Sequence, residues 1–157
     1  MSNRLYHSPA HIMRPIVQGI QEAPFWVVTV LRQPDMKAGT NAVTVFNAPG
    51  LGQEHLMIGE RMEQSGVQVM VRASDYNTGF RKADAIAKAL DDQWLTSVVL
   101  RNQNGEAVIY QLWSFERTTN VICLPVTKIT GGYVDEKHAD DQIHFVVNGL
   151  ATLSVID

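Results

Sequence analysis

One cysteine, Cys123, occurs among the 157 residues, which excludes an intrachain disulfide framework and suits a reducing cytoplasm. The chain also has little excess of either charge. Its formal net charge of -3 gives it no general attraction for nucleic acid or an anionic membrane. The longest apolar run, "APFWVVTVL" at 23–31, is about half the length that a membrane-spanning helix needs. We therefore expect no membrane insertion, and the N-terminus lacks the basic and apolar regions of a secretory signal.

The sequence motifs that mark common enzyme classes are missing as well. The chain contains no G-x-S-x-G sequence, which marks a nucleophilic serine on a sharp strand-to-helix turn. Its glycine turns "GLGQEH" and "TGGYVD" match neither of the glycine-rich patterns that hold phosphate groups. We therefore expect a protein that is not an enzyme and that binds no cofactor.

The composition is that of a folded domain. With 45% apolar and 18% charged residues, a chain of this length is expected to form a single domain over 1–157. Residues 1–14 contain Pro9 and few apolar side chains, and we expect them to be flexible. "PIVQGIQE" follows, where Pro15 fits the first turn of a short helix.

Several segments have the composition of strands. In "VQVMVRAS", Val67, Val69 and Val71 alternate with other side chains, which is typical of a strand with one buried face. The other predicted strands are "FWVVTVL" at 25–31, "AVTVF" at 42–46, "SVVL", "AVIYQLWSF", "VICLPV" and "QIHFVVNGLATLSV". "RNQNGE" at 101–106 is typical of a hairpin turn. Residues 53–64 fit a loop or a short helix equally well.

One amphipathic helix is predicted at about 75–92. Ser74 or Asp75 can cap its first turn. Apolar residues at three- and four-residue spacing form a stripe along it: Phe80, Ala83, Ile86, Ala87, Ala89 and Leu90. Because strands mostly follow one another through short turns, the sequence predicts an α+β fold with a mixed or antiparallel sheet. We expect this one main helix to pack on one face of the sheet, in addition to the short N-terminal helix.

Two groups of histidines have spacings that a metal site could use. His7 and His11 are four residues apart, but a pair of surface histidines is favoured beside Pro9. The denser group in "EKHADDQIH" consists of His138, Asp140, Asp141 and His144. A solvated acidic turn is favoured there, because a metal centre also needs an open coordination position and an organised second shell. We expect no metal site.

Cys123 and the three tryptophans are predicted to be mainly core residues. Cys123 lies between Ile122 and Leu124 in an apolar strand, where a buried thiol has low reactivity. The tryptophans lie beside aliphatic strand residues, so packing in the core is favoured over anchoring an interface. They are Trp26, Trp94 and Trp113.

A small basic group lies where the predicted strand meets the helix. It consists of Arg72, Arg81 and Lys82. One interpretation is a solvated surface; the other is ion pairing across a subunit boundary with the acidic turn "VDEKHADD". The acidic candidates in and near that turn are Asp135, Glu136, Asp140 and Asp141.

The order of several segments resembles the minor capsid or tail terminator family of long-tailed bacteriophages. These segments are a strand region from Trp26 to Pro34, "AVTVFNAPG", "GVQVMVRASDYNTGFRKADAIAKAL", and "VDEKHADD" leading into "IHFVVN". Together they span about residues 20–150, and the most telling part is "VQVMVR" followed by the helix. The chain departs from the family where an arginine often precedes the last strand, because Asp141 and Gln142 stand there.

This resemblance implies an α/β subunit that assembles into a ring, usually of six copies, on the upper end of the tail tube. The ring would end tube growth and meet a head completion or connector protein, without covalent chemistry. DNA would pass through the lumen without sequence-specific binding, and a modestly acidic lumen would not trap it. The protein would assemble in the host cytoplasm and end in the virion. The loops at 48–66 and 131–142 are expected to reach a neighbouring subunit or the tube.

Three other functions remain open from the sequence. The nearest is a different head or tail completion factor of similar fold. The second is a small metal-dependent hydrolase that uses His138, Asp141 and His144. The third is a monomeric binding module that takes a peptide by edge addition to a strand.

Overall fold

The computed structural model describes residues 5–33, 41–48, 54–55, 61–124 and 143–156 of the chain. Two helices lie within these residues, α1 (Pro9–Ile20) and α2 (Tyr76–Asp91). The strands are β1 (Val28–Val30), β2 (Ala42–Ala48), β3 (Glu54–His55), β4 (Arg61–Ala73), β5 (Trp94–Arg101), β6 (Ala107–Arg117), β7 (Ile122–Leu124) and β8 (Ile143–Ile156).

The strands form a curled mixed sheet in the order β1-β2-β4-β8-β6-β5. β1 and β2 are parallel, and the other neighbouring strands are antiparallel. The two longest strands, β4 and β8, are adjacent, and their register runs from Glu63 opposite Leu153 to Ala73 opposite Ile143. β3 pairs with the start of β4, and β7 pairs with β8 at residues 144–146.

α1 begins earlier than the sequence predicts. Ser8 caps it by accepting a hydrogen bond from the His11 backbone, and Pro9 takes a first-turn position where no N–H is needed. Pro15 consequently lies inside the helix rather than in its first turn. Residues 9–14 of the segment expected to be flexible belong to this helix, and much of the helix is buried. Its buried residues are Ala10, Ile12, Met13, Ile16 and Val17.

α2 matches the predicted helix closely. The Asp75 carboxylate accepts a hydrogen bond of 2.9 Å from the Thr78 backbone, and this bond lowers the pKa of Asp75. Of the predicted stripe, Ala83, Ile86, Ala87 and Leu90 are buried. Phe80 is 41% exposed, and its ring contacts the rings of Tyr76 and Phe145.

The two faces of the sheet differ. Val67, Val69 and Val71 of β4 are fully buried and belong to one apolar cluster with residues of both helices. Phe145, directly opposite Val71, lies against Phe80 of α2, which identifies the side on which the helix packs. Because side chains alternate along a strand, Gln68, Met70 and Arg72 lie on the other side, which we term the second face.

These observations confirm an α+β fold with a mixed sheet. The expectation of one main helix on one face is not confirmed, because both helices contact the sheet. α1 contacts β1, β2, β4 and β5, and α2 contacts β4, β6 and β8. The predicted hairpin joins β5 to β6, and Gly105 adopts a positive φ of 80° in its turn. Residues 54–55 and 61–62 form an antiparallel pair, so part of the predicted 48–66 loop belongs to strands.

Candidate functional site

The three basic residues predicted as an interface do not form one group. The side chain of Arg72 lies on the second face of the sheet, and the residue is 1% exposed. Lys82, on α2, is 6% exposed, while Arg81 beside it is exposed. The single chain therefore buries two of the three cations and presents Arg81 at its surface. The acidic residues predicted to pair with them, Asp135, Glu136, Asp140 and Asp141, lie outside the described residues.

Lys82 ties α2 to the segment between α1 and β1. Its ammonium group donates to the backbone oxygens of Glu22 and Pro24, both at 2.6 Å, and lies 5.2 Å from the centre of the Trp26 ring. Burial lowers the pKa of Lys82, against the opposing effect of the Glu22 charge. The two carbonyls and the indole ring replace the water that the cation loses. This contact geometry assigns Lys82 a role in holding the fold.

A polar cavity of about 470 Å³ opens beside Lys82. Asp75 and Thr78 line it, but the Asp75 carboxylate already accepts bonds from the backbone and the hydroxyl of Thr78. Arg81 and Trp26 complete much of its wall. The Asp75 carboxylate thus caps the start of α2, and the Lys82 ammonium group binds the segment between α1 and β1. Arg81 is the exposed cation of the cavity wall.

Arg72 and His144 are directly opposite each other on the second face. Burial lowers the pKa of both side chains, and the Arg72 charge lowers that of His144 further. In the part of the chain that the structure describes, the buried Nε2 atom of His144 has no hydrogen-bond partner. A neutral imidazole beside a buried guanidinium is the expected state of this pair near neutral pH.

Pairs of polar side chains cross the second face between neighbouring strands. Four such hydrogen bonds join Thr29 to Thr44 at 3.0 Å, Gln68 to Asn148 at 3.0 Å, Trp113 to Ser154 at 2.8 Å and Ser114 to Thr152 at 3.4 Å. Each bond satisfies groups on the second face and favours the observed register. Trp113 lies at a register shift between β6 and β8, which lets its indole reach Ser154.

An apolar row lies beside these polar pairs. Val99, Ile109 and Ile156 are directly opposite one another across β5, β6 and β8. All three are exposed, and Val99 is the most exposed at 61%. Ile122 and Leu124 of β7 are also exposed, opposite Val146 and His144 of β8. The second face therefore offers apolar surface to a partner at two places.

Side chains of α1 and of Gln21, the residue that follows it, cover the edge of the sheet that β1 forms. The Gln21 side chain donates to the Trp26 oxygen at 2.9 Å and accepts from the Trp26 nitrogen at 3.0 Å. Gln18 accepts from the Val28 nitrogen, and Arg14 donates to the Val28 oxygen. These side chains therefore occupy backbone groups along the β1 edge, as an added strand would.

The histidines and the cysteine give no organised metal site within the described ranges. No group of three or more His, Cys, Asp or Glu side chains there could hold a metal ion. His7 contacts the Tyr110 hydroxyl and the Arg101 backbone oxygen, while His11 contacts Ser8. Of the second histidine group, His138, Asp140 and Asp141 lie outside the described residues. Cys123 is exposed on β7, unlike the core thiol expected from its neighbours.

The tryptophans also divide between core and surface. Trp26 is buried, Trp113 is half-buried, and Trp94 is 68% exposed at the start of β5. A left-handed residue, Leu95, follows Trp94, and the regular spacing of side chains is interrupted there. The aliphatic surroundings of Trp94 in the sequence did not reveal its exposure.

Sequence reasoning missed the roles of Lys82, Gln18 and Gln21. The helical spacing of the sequence could have indicated that Lys82 is buried. Lys82 lies three residues after Gly79 and four before Ile86, on the buried side of the helix. No such signal exists for Gln21, because its partner is backbone and its use depends on where β1 lies. Among the described helices, none combines the length and apolar character that crossing a membrane requires.

No protein-family model matches the chain, and no curated protein is significantly similar to it.

Proposed function

We propose that this protein is a structural subunit of a long-tailed phage, a tail terminator that forms a ring on the upper end of the tail tube. The proposal rests on the resemblance of residues 20–150 to that family. The order of elements is compatible with it, since a helix and strands are followed by α2 and further strands. The function is mechanical, and the chain contributes surfaces rather than reacting groups.

The observation that carries the proposal is the exposed apolar surface on the second face. Val99, Ile109 and Ile156 lie in a row on the second face. The core is formed by both helices and the opposite face of the sheet, so these three side chains lie outside it. Exposed aliphatic side chains in register across three strands lose water when a flat partner covers them. Such a surface suits a subunit that folds alone and whose exposed apolar side chains are covered when it assembles.

Ring closure follows from the kind of contact. Each copy would present one patch to a different patch on the next copy, and the rotation between copies would bring the last one back to the first. An open version of the same contact would give a filament, which a protein that ends polymerisation cannot use. Six copies is the number that the resemblance implies, with DNA passing through the centre.

Arg81 is the remaining candidate for the ionic contact between copies. It is exposed on α2, whereas Arg72 and Lys82 are buried in the single chain. A rim charge mainly affects the rate and the salt dependence of association. The lumen is proposed to be modestly acidic, which the net charge of -3 allows.

The test combines native mass spectrometry with negative-stain imaging, using the purified protein alone and mixed with tail tubes assembled from the tube protein of the same phage. We expect closed rings, free or seated on tube ends, and tubes that stop growing after the protein is added. Ile109→Lys should reduce ring formation, whereas Gln103→Lys in the exposed β5–β6 turn should not. A protein that binds portal-bearing heads instead of tubes would be a head completion factor. A protein that neither forms rings nor affects tubes would refute the proposal.

A further inference from the structure

β5 ends the sheet with an outer edge that the rest of the described chain leaves largely unused. β6 pairs with one side of it along Trp94–Arg101. Beyond that ladder, the bonds to its backbone within the described residues lie at its ends. His7 contacts the Arg101 oxygen, and the Thr96 hydroxyl donates to the Trp94 oxygen at 3.5 Å. The middle of the strand, from Ser97 to Leu100, therefore keeps backbone groups available to another strand.

The opposite end of the sheet differs from β5 in this respect. At β1, the side chains of Arg14, Gln18 and Gln21 contact the backbone of Val28 and Trp26. The same helix, α1, contacts β5 as well, yet it makes no comparable side-chain bonds to that strand in the described residues. Among the described residues, side-chain bonds therefore occupy backbone groups at the β1 end of the sheet and not along the middle of β5.

A groove lies beside the open edge. Its volume is about 350 Å³, and it runs between α1 and β5. Ile16, Gly19 and Ile20 line the helix side, and residues 96–99 line the strand side. A Cβ atom added at Gly19 would have nothing within 4 Å, so α1 leaves space next to the strand. An added strand could therefore approach β5 without displacing α1.

The charges at the ends of β5 indicate which strand would fit. Asp92 is exposed just before the strand, and Arg101 is exposed at its last residue. In an antiparallel pair of two β5 strands centred on Ser97, Asp92 of each copy comes close to Arg101 of the other. The same arrangement brings Trp94 of one copy towards Val99 of the other, and these side chains are 68% and 61% exposed. The edge is complementary to itself in charge and in apolar surface.

Neighbouring charges do not oppose this pairing. Asp91 is already bound to Arg117, with a shortest distance of 2.7 Å. Arg101 donates one N–H to the Gly105 oxygen at 2.8 Å, which leaves other donors of its guanidinium to face a carboxylate. Asp92 caps the end of α2 through its backbone N–H, so its carboxylate is not needed for that role.

We propose that two copies of this chain pair through the outer edges of β5, antiparallel and about a two-fold axis, so that one sheet continues across both. This inference goes beyond the proposed function and does not rest on it. A two-fold contact uses the same patch on both copies and cannot by itself close a ring of six. The pair is therefore a form of the free protein, and it shares Val99 with the apolar row proposed for the ring.

The first experiment is cross-linking with a new cysteine near the centre of β5. Ser97→Cys is made together with Cys123→Ser, so that each chain has one thiol. Lys88→Cys in the same background is the control, because Lys88 lies on the exposed side of α2. Under mild oxidation we expect Ser97→Cys to give a covalent dimer on a denaturing gel and Lys88→Cys to give much less. Equal cross-linking of the two variants would overturn the proposal.

The second experiment reverses the charges, with association measured by sedimentation velocity over a range of concentrations. Asp92→Arg and Arg101→Asp should each raise the dimer Kd about tenfold at low salt, because each replaces two attractive pairs by repulsive ones. The double variant restores opposite charges and should recover a Kd close to that of the natural protein. Salt should reduce all of these differences.

The two experiments also distinguish a second copy at the β5 edge from a different partner bound there. A natural protein that stays monomeric at every concentration, but gains hydrogen-exchange protection over 94–101 when tail tubes are added, would place a different partner there and refute the proposal. A dimer whose Kd responds to neither charge reversal would show contact through another surface. Recovery in the double variant together with the Ser97→Cys cross-link is the result that supports pairing through β5.

Discussion

The Lys82 ammonium group lies 2.6 Å from the backbone oxygen of Pro24 and makes an equally short bond to the oxygen of Glu22. This cation therefore acts as a bridge between α2 and the segment that leads into β1. Its charge is stabilised by two carbonyl oxygens and by the face of Trp26, and the Glu22 charge acts in the same direction. A buried lysine of this kind resembles an interface residue in the sequence but works inside one subunit.

Lys82→Met should destabilise the fold by about 1–3 kcal/mol, because two carbonyl oxygens lose their donor while the apolar stem is kept. Urea unfolding monitored by far-UV circular dichroism would measure the loss. Lys88→Met is the matched control: Lys88 is exposed and pairs with Asp84 at 2.8 Å, so its loss should cost less than about 1 kcal/mol. Equal stability of the two variants would contradict the bridging role.

Gly79 permits the close packing of α2 on β8. A Cβ atom there would lie 2.6 Å from Cε2 of Phe145 and 2.9 Å from the Cβ of Ala73. Gly79→Ala should therefore cost about 1–3 kcal/mol despite the better helix propensity of alanine. Gly19→Ala in α1 meets nothing within 4 Å and should stabilise the protein by about 0.5–1 kcal/mol. Thermal unfolding of both variants would measure the contrast.

The coupling of Gly79 to Phe145 can be tested separately. Phe145→Leu removes ring atoms that an alanine at 79 would meet, so the double variant should lose less stability than the sum of the two single variants. Additive losses would show that the strain at Gly79 comes from other neighbours.

Gln21→Met should lower stability by about 1–3 kcal/mol, because both Trp26 backbone groups lose their partner in a buried site. Gln18→Met removes one longer bond, 3.3 Å to the Val28 nitrogen, and should cost less. Hydrogen exchange at Trp26 and Val28 would report the opening of the β1 edge directly. Faster exchange in Gln18→Met than in Gln21→Met would contradict the expectation that Gln21 stabilises the β1 edge more than Gln18 does.

The local periodicities predicted much of the fold. The alternation of Val67, Val69 and Val71 predicted a strand and its core-facing residues, and the stripe of α2 predicted four of the six residues that the helix buries. These patterns depend on neighbours in sequence, whose relative directions are set by the backbone. The start of α1 was missed because Pro9 was interpreted as part of a flexible segment, although Ser8 and Pro9 together form a start signal.

The surface roles could not be predicted in the same way. Arg72 and Lys82 carry the same positive charge as Arg81, and only the packing of distant elements decides which of them is exposed. His144 comes to lie opposite Arg72 through the β4–β8 register, across a gap of about seventy residues in sequence. The open edge of β5 follows from the strand order, which the sequence pattern does not specify.

Charge reversal at Arg72 and at Arg81 should now have different effects. Arg72→Glu places a carboxylate in a site that is 1% exposed, so we expect a loss of more than about 3 kcal/mol or failure to fold. Arg81→Glu is exposed and should keep native helix content while weakening ring assembly, most clearly at low salt. Circular dichroism and native mass spectrometry would separate the two effects. Unchanged rings in Arg81→Glu would remove this residue from the interface.

The pKa of His144 predicts how stability depends on pH. In the unfolded chain its imidazole takes up a proton near the ordinary value of 6.5, while burial and the Arg72 charge lower the pKa in the folded state. Between these two values the unfolded state binds more protons, so the free energy of unfolding falls as the pH is lowered below about 6.5. The loss should stop once the pH is below the folded-state pKa.

His144→Gln keeps a polar side chain at this position and removes the titration. Urea unfolding at several pH values between about 8 and about 5 should give a smaller decrease for the variant than for the natural protein, whatever its stability at pH 8. The two proteins are compared by how steeply the free energy of unfolding changes with pH, because the substitution also changes packing on the second face. Parallel curves for the two proteins would mean that His144 is protonated equally in the folded and unfolded states. The Arg72 charge and the burial of the ring would then have to be offset by a group that stabilises the imidazolium form.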